Sequence, residues 1–272
     1  MNPQFDLQEK SLNCEGSKQK YPMPTGSTEE GSSSTSSPDY YAQVWTSALE
    51  PSNDFCLTVS GKRFYYTAEH IPPSSIDIND IAHSLALQCR FVGRVKHPYS
   101  IAQHSLNCVA AAIEFHNVQN PHDLLALLMH DAAEAYIGDI IRPYKNLIKT
   151  TCGYAASAGE WIYRRSTYTE NVSETQGFAS GVYKYAVAVR DCEQRIQSAI
   201  ERKYRIHLYD YHEIDNRMCR TESGYLCAEP CLNHLEPYAL DEKAFSYMDP
   251  FKVRDKFVET FNDLVQLRAD WN

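Results

Sequence analysis

The stretch LLALLMHDAAEAYIG, Leu124 to Gly138, decides the fold. Asn120 and Pro121 stand ahead of it as an N-cap and a first-turn proline, and Gly138 closes it. Its apolar residues run nearly all round a 3.6-residue period, so the stretch predicts a helix at the centre of an α-helical domain. Inside it sits His130-Asp131. An imidazole and a carboxylate have no reason to be in such a helix unless they are paired, hydrogen-bonded or bound to metal. Glu134 lies four residues after His130, hence on the same face, and Asp139 follows just past Gly138. Three carboxylates and an imidazole therefore gather within ten residues.

The flanking sequence predicts more helices. Asp77 reads as an N-cap, and Ile78, Ile81, Ala82, Leu85 and Cys89 recur at helical spacing, giving an amphipathic helix that ends near Phe91. Ser100 and Gln103 form a capping box for the next helix, with Ile101, Cys108, Val109, Ala112 and Ile113 as its apolar positions and His104 in its first turns. A short connection should set that helix antiparallel to the central one. Phe55 to Val59 and Arg63 to Tyr66, around Ser60, Gly61 and Lys62, read as a hairpin. Beyond Lys145 the pattern weakens, and 150–181 is expected to be a loop or insertion with one helical patch near 160–165. Helices resume over about 182–204 and 209–223, and Asp249-Pro250 caps a last one carrying Phe257, Val258, Phe261, Leu264 and Val265. The prediction is an all-α helical bundle with a small β-hairpin near its N-terminus, forming one domain over 41–272. The first 40 residues, which include GSTEEGSSSTSSP at 26–38, are a Ser-rich tail too polar to bury a core and are expected to be disordered.

Thirty-five acidic against 26 basic residues give a net charge of −9, which argues against a duplex nucleic-acid or anionic-membrane surface. No apolar run approaches the roughly 18 residues of a membrane span, and the N-terminus lacks a secretory pattern, so a soluble cytoplasmic protein is expected, in the host cytoplasm if viral. Nine cysteines without tight regular spacing read as reduced thiols. Cys227, Cys231 and His234 suggest a structural zinc site but lack an evident fourth ligand.

His104, His130 and the nearby carboxylates suit a mid-series divalent ion such as Mn²⁺, Co²⁺, Fe²⁺ or Zn²⁺, whereas an all-oxygen site would favour Mg²⁺. Asp215, in HEIDNRMCRTE at 212–222, is the candidate fourth ligand, on a helix that Ile214 and Met218 turn inward.

AQHS at 102–105, MHDAAEAYIGDIIRPYK at 129–145 and the Asp215-x6-Glu222 pattern resemble the HD-domain nucleotide phosphohydrolases, the 5′-deoxynucleotidases most of all. The upstream window IDINDIAHSLALQCRFVGRVKHPYSIAQHS also resembles the bacterial and phage branch that includes dATP triphosphohydrolases. The likeness covers roughly Phe55 to Glu222. It implies metal ligation by His104, His130, Asp131 and Asp215. It further implies Glu134 beside the attacking water, Asp139 near the leaving group, Arg90 at the phosphate and the Phe91 ring at the sugar or base. The expected reaction takes a deoxynucleoside 5′-monophosphate to nucleoside and phosphate with one divalent metal ion, Mg²⁺ included. The rivals are release of triphosphate from a dNTP, with Arg94, Lys96 and Lys145 extending the phosphate contacts, and a non-catalytic interaction protein with a structural metal. Such relatives often dimerise, which leaves room for a homodimer.

Overall fold

Polar side chains start the main helices where the sequence places them. The structure is a computed structural model that describes residues 55–66, 71–166, 189, 191–207, 209–231 and 234–271. The expected tail over 1–40 lies outside these residues, as does 167–181. Two short antiparallel strands, β1 (Cys56–Leu57) and β2 (Arg63–Phe64), pair Cys56 with Phe64 and Leu57 with Arg63 around a turn in which Gly61 takes φ +78°. Asp80 fastens that turn to the helical body by accepting from both the amide and the hydroxyl of Ser60, at 2.8 and 2.7 Å.

Eight α-helices follow among the described residues: α1 (Ile78–Leu87), α2 (Ile101–His116), α3 (Pro121–Leu128), α4 (Glu134–Ile137), α5 (Arg142–Ser166), α6 (Cys192–Tyr204), α7 (His212–Leu226) and α8 (Pro250–Asp270). Asp77, Ser100, Asn120 and Asp249 each accept a backbone N–H at the start of α1, α2, α3 and α8. The described residues are thus mostly helical with one small hairpin, as the sequence predicts. Helix α2 is the hub and packs on α1, α3, α7 and α8, while α8 also crosses α1 and α3. Leu124 to Met129 are buried without exception, and each large side chain there contributes about 2 kcal/mol of burial. No described helix is long and apolar enough to cross a membrane.

Three elements depart from the sequence reading. First, α1 stops at Leu87 and not near Phe91, because the chain from Gln88 turns extended and pairs with the approach to α2. Arg90 N–H donates to Tyr99 O, Ile101 N–H donates to Gln88 O, and Cys89 bridges Ser100. Cys89 therefore does not belong to the α1 face. In the turn after it Phe91, Val92 and Gly93 take φ of 55°, 54° and 72°, a conformation that strains a β-branched valine.

Second, the stretch read as one helix from Pro121 to Ile137 breaks at Met129. The amides of His130, Ala132, Glu134, Ala135 and Tyr136 reach back three residues instead of four. The bond that a regular helix would make from Ala133 N–H to Met129 O is replaced by the Gln197 side chain of α6. Its Oε1 accepts from Ala133 N–H at 3.1 Å and its Nε2 donates to Met129 O at 3.0 Å. An inserted side chain is a recognised cause of a helix break.

Third, α5 runs through 150–166, the first part of the stretch expected to be a loop. Its half-buried positions Lys145, Ile148 and Cys152 keep helical spacing, but Tyr144, Leu147 and most residues between them are exposed, so the apolar stripe is faint. A smaller departure is Ile113 on α2, assigned to the core by sequence and 45% exposed.

Candidate metal centre

His104 projects from the first turn of α2 and is wholly buried. Its Nδ1 lies 2.8 Å from Oε1 of Glu222, a buried residue of α7. Burial opposes the charge of Glu222, yet His104, Arg90 and the Tyr99 hydroxyl hold its carboxyl below the ordinary value. A carboxylate accepts only, so Nδ1 carries the proton and Nε2 faces inward. On the other side, His130 Nδ1 donates to Leu127 O at 2.7 Å, which turns its Nε2 inward as well.

The two inward nitrogens are 3.3 Å apart. Asp131 Oδ2 stands 3.2 Å from His130 Nε2 and 3.7 Å from His104 Nε2, and Asp215 Oδ1 stands 3.3 and 3.9 Å from His104 Nε2 and His130 Nε2. Four donors held about 2.1 Å from one tetrahedral centre would be separated by about 3.4 Å, which fits this set. Two imidazole lone pairs facing each other among carboxylates repel unless a proton or a cation sits between them. The same demand appears in the titration. Burial disfavours charge on both histidines, but Cys108, Glu222 and Asp215 carry His104 well above its ordinary value, and Asp131 and Asp215 raise His130. Against burial, the histidines hold Asp215 down to about 2 and Asp131 far below the carboxylate range.

Cys108, one turn beyond His104, brings its sulfur to 3.5 Å from His104 Nε2. The buried group His104, Cys108 and His130 could hold a metal ion. Burial pushes the Cys108 thiol up to about 11, so a neutral sulfur adjoins the nitrogens.

Arg90 is buried beside this group, with Nη1 3.6 Å from Asp131 Oδ2 and Nε 3.1 Å from Glu222 Oε2. The second contact is close but misaligned, and neither Nε nor Oε2 completes a hydrogen bond. The half-buried Phe91 ring lies 5.4 Å from the guanidinium carbon. Glu134, buried at the start of α4, accepts from Lys145 Nζ at 2.9 Å through Oε1, while its Oε2 has no partner. Burial and Asp131 push its carboxyl up to about 8, against the pull of Lys145. Asp139 is also raised, by burial first and then Asp131, with Arg90 opposing. Gln88 at the end of α1 fixes this corner, accepting from the Asp139 amide and donating to Glu134 O.

His104, His130, Asp131, Asp215 and Arg90 are thus brought together by direct distances. Glu134 and Asp139 lie within their electrostatic reach, and Phe91 adjoins Arg90. Sequence alone assigns no role to Glu222, Tyr99 or Gln197 and counts Cys108 among the apolar positions of α2. The Glu222 signal was present, since seven residues after Asp215 is the same helical face. An open groove of about 680 Å³, lined by Val59, His83, Arg254 and neighbours on α8, contains none of these residues.

No protein-family model matches the chain. It is similar to the uncharacterized protein YfdR of Escherichia coli, 44% identical over 95 residues that make up 35% of this chain and 48% of that protein. It is also similar to an uncharacterized protein of Rhodobacter capsulatus, 38% identical over 78 residues, 28% of this chain and 40% of the other. The chain spans less than half the length of each of these relatives.

Proposed function

We propose that the protein is a divalent-metal-dependent phosphohydrolase of the HD-domain kind that converts deoxynucleoside 5′-monophosphates to nucleoside and phosphate. The observation that carries this reading is the convergence of His104 Nε2, His130 Nε2, Asp131 Oδ2 and Asp215 Oδ1 within 3.2–3.9 Å, beside a buried Glu134 whose Oε2 is unpartnered. Those four residues would hold the cation, which when bound supplies positive charge for the phosphate oxygens and lowers the pKa of water. With a bound cation offsetting the Asp131 charge that raises it, Glu134 would be ionised, and its Oε2 would accept the proton of the attacking water while Lys145 fixes Oε1. Asp139, kept protonated more readily by burial, donates to the 5′ oxygen as its bond to phosphorus breaks. Arg90 offers a guanidinium fork to the non-bridging oxygens, and Phe91 beside it faces the sugar or base.

A triphosphate would need further cations, and two of the expected three are engaged. Lys145 is held by Glu134 and Glu193, and Lys96 Nζ donates to Tyr225 O. This favours the monophosphate. The test is incubation with dAMP and with dATP, each with Mn²⁺, Co²⁺, Mg²⁺ or chelator. Metal-dependent phosphate from dAMP is expected. Triphosphate from dATP would replace the reading with the triphosphohydrolase, and no turnover of any deoxynucleotide by metal-loaded protein would leave a structural metal in an interaction protein.

A further inference from the structure

The thiols of Cys219 and Cys231 lie 3.6 Å apart, outside the metal centre. Cys219 is on α7, one turn after Asp215 and three residues before Glu222. Cys231 is in the segment that folds back on α7, and two α7 side chains fix its backbone. The Ser223 hydroxyl accepts from its amide at 2.8 Å, and Arg220 Nη1 donates to its carbonyl at 2.6 Å. Both cysteines are half-buried, so a small reagent can reach sulfurs that the backbone already presents to each other. A disulfide needs about 2.05 Å between sulfurs, a closure of about 1.5 Å that side-chain rotation can supply.

The chemistry of the pair is asymmetric. The Cys219 thiol and the Ser223 hydroxyl, with Arg90 nearby, lower the Cys231 thiol to about 6 against its burial, whereas Cys219 is held protonated by the same contact. One sulfur is therefore a ready nucleophile at neutral pH and the other a resolving thiol. Cys227, the remaining cysteine of this segment, is raised by burial and has the weaker claim.

We propose that Cys219 and Cys231 form a thiol–disulfide exchange site that closes on reaction with a low-molecular-weight disulfide. The Cys231 thiolate attacks one sulfur of the reagent, forming a mixed disulfide and expelling one thiolate. Cys219 then loses its proton and attacks the Cys231 sulfur, forming the internal bond and expelling the second thiolate. Two protein thiols are oxidised, one small disulfide is reduced to two thiols, and the protons released by the protein end on the leaving thiolates. The closed bond ties the returning segment to the helix that carries Asp215 and Glu222.

The experiment exposes the native full-length chain to oxidised glutathione at neutral pH, blocks the remaining thiols with N-ethylmaleimide and maps the peptides by mass. The expected result is a Cys219–Cys231 linkage and the loss of two thiols. The linkage should persist in Cys227→Ser, which removes the ambiguity of a peptide holding both Cys227 and Cys231. In Cys219→Ser the reaction should stop at a stable glutathione adduct on Cys231. Iodoacetamide at pH 7 should label Cys231 about ten-fold faster than Cys227. A lasting adduct on Cys231 in the wild-type chain, a bond from Cys219 to any other cysteine, or no reaction at the pair would each overturn the proposal.

Discussion

Helix α2 and the broken run from α3 to α4 deliver side chains to one cluster by opposite means. α2 is capped by Ser100, runs regularly for 16 residues and contributes a single imidazole, whose direction is set from outside by Glu222. The run from Met129 to Glu134 contributes two adjacent side chains, His130 and Asp131. On a regular helix neighbouring side chains leave the axis about 100° apart. In the irregular run that follows Met129, Asp131 Oδ2 lies 3.2 Å from His130 Nε2. Gln197, 64 residues away, takes over the carbonyl and amide that the break releases. The regular helix is stabilised locally and oriented by a partner, while the irregular segment depends on a partner for its backbone.

That contrast can be broken most severely on the irregular side. Asp131→Ala should abolish divalent-metal binding and lower phosphate release by about 1,000-fold or more, equivalent to about 4 kcal/mol of barrier, in parallel metal analysis and phosphate assays. Removing the orienting partner of the regular helix should do less. Glu222→Gln should weaken metal affinity by about 10- to 100-fold, measured by competition with a chelating dye, because His104 keeps a hydrogen-bond acceptor but loses the charge.

The Glu134 carboxyl sharpens the same side through pH. Its folded value of about 8 lies above the ordinary 4.5, so the metal-free folded chain retains a proton that the unfolded chain releases. Its contribution is fully present below about 4.5 and is lost as pH rises through about 8. Thermal unfolding of metal-free protein should show this decline across pH 5 to 8, and Glu134→Gln should flatten it. Gln197→Ala should cost about 1–3 kcal/mol of stability by denaturant titration, since two backbone groups lose their partner, and should weaken metal binding as the run relaxes toward a regular helix. Ser100→Ala should cost about 1 kcal/mol with metal affinity unchanged, the smallest effect, because the cap supports α2 without touching the ligands.

The same division explains what the sequence made legible. Caps and apolar periods are local, so Asp77, Ser100, Asn120-Pro121 and Asp249-Pro250 mark helix starts and the hairpin is readable around Gly61. The break at Met129 depends on Gln197, whose contact across 64 residues no local window contains. The early end of α1 likewise depends on pairing between Gln88–Arg90 and Tyr99–Ile101, while Cys89 imitates the helical period. Helix α5 is faint because its side chains from Arg142 to Cys152 are mostly exposed. At the site, an imidazole and a carboxylate inside an apolar run are legible as His130-Asp131, but the orienting carboxylate and the sulfur of Cys108 acquire their meaning only from distances to His104.

The most direct test of the centre is cobalt or manganese loading of metal-stripped wild-type, Asp131→Ala, Asp215→Ala and Cys108→Ser proteins, with bound metal counted per chain and the cobalt spectrum recorded. The expected result is one ion per wild-type chain, loss of that ion with either aspartate, retention with Cys108→Ser, and no thiolate-to-cobalt charge-transfer band. An ion that survives both aspartate changes and leaves with Cys108→Ser would contradict it.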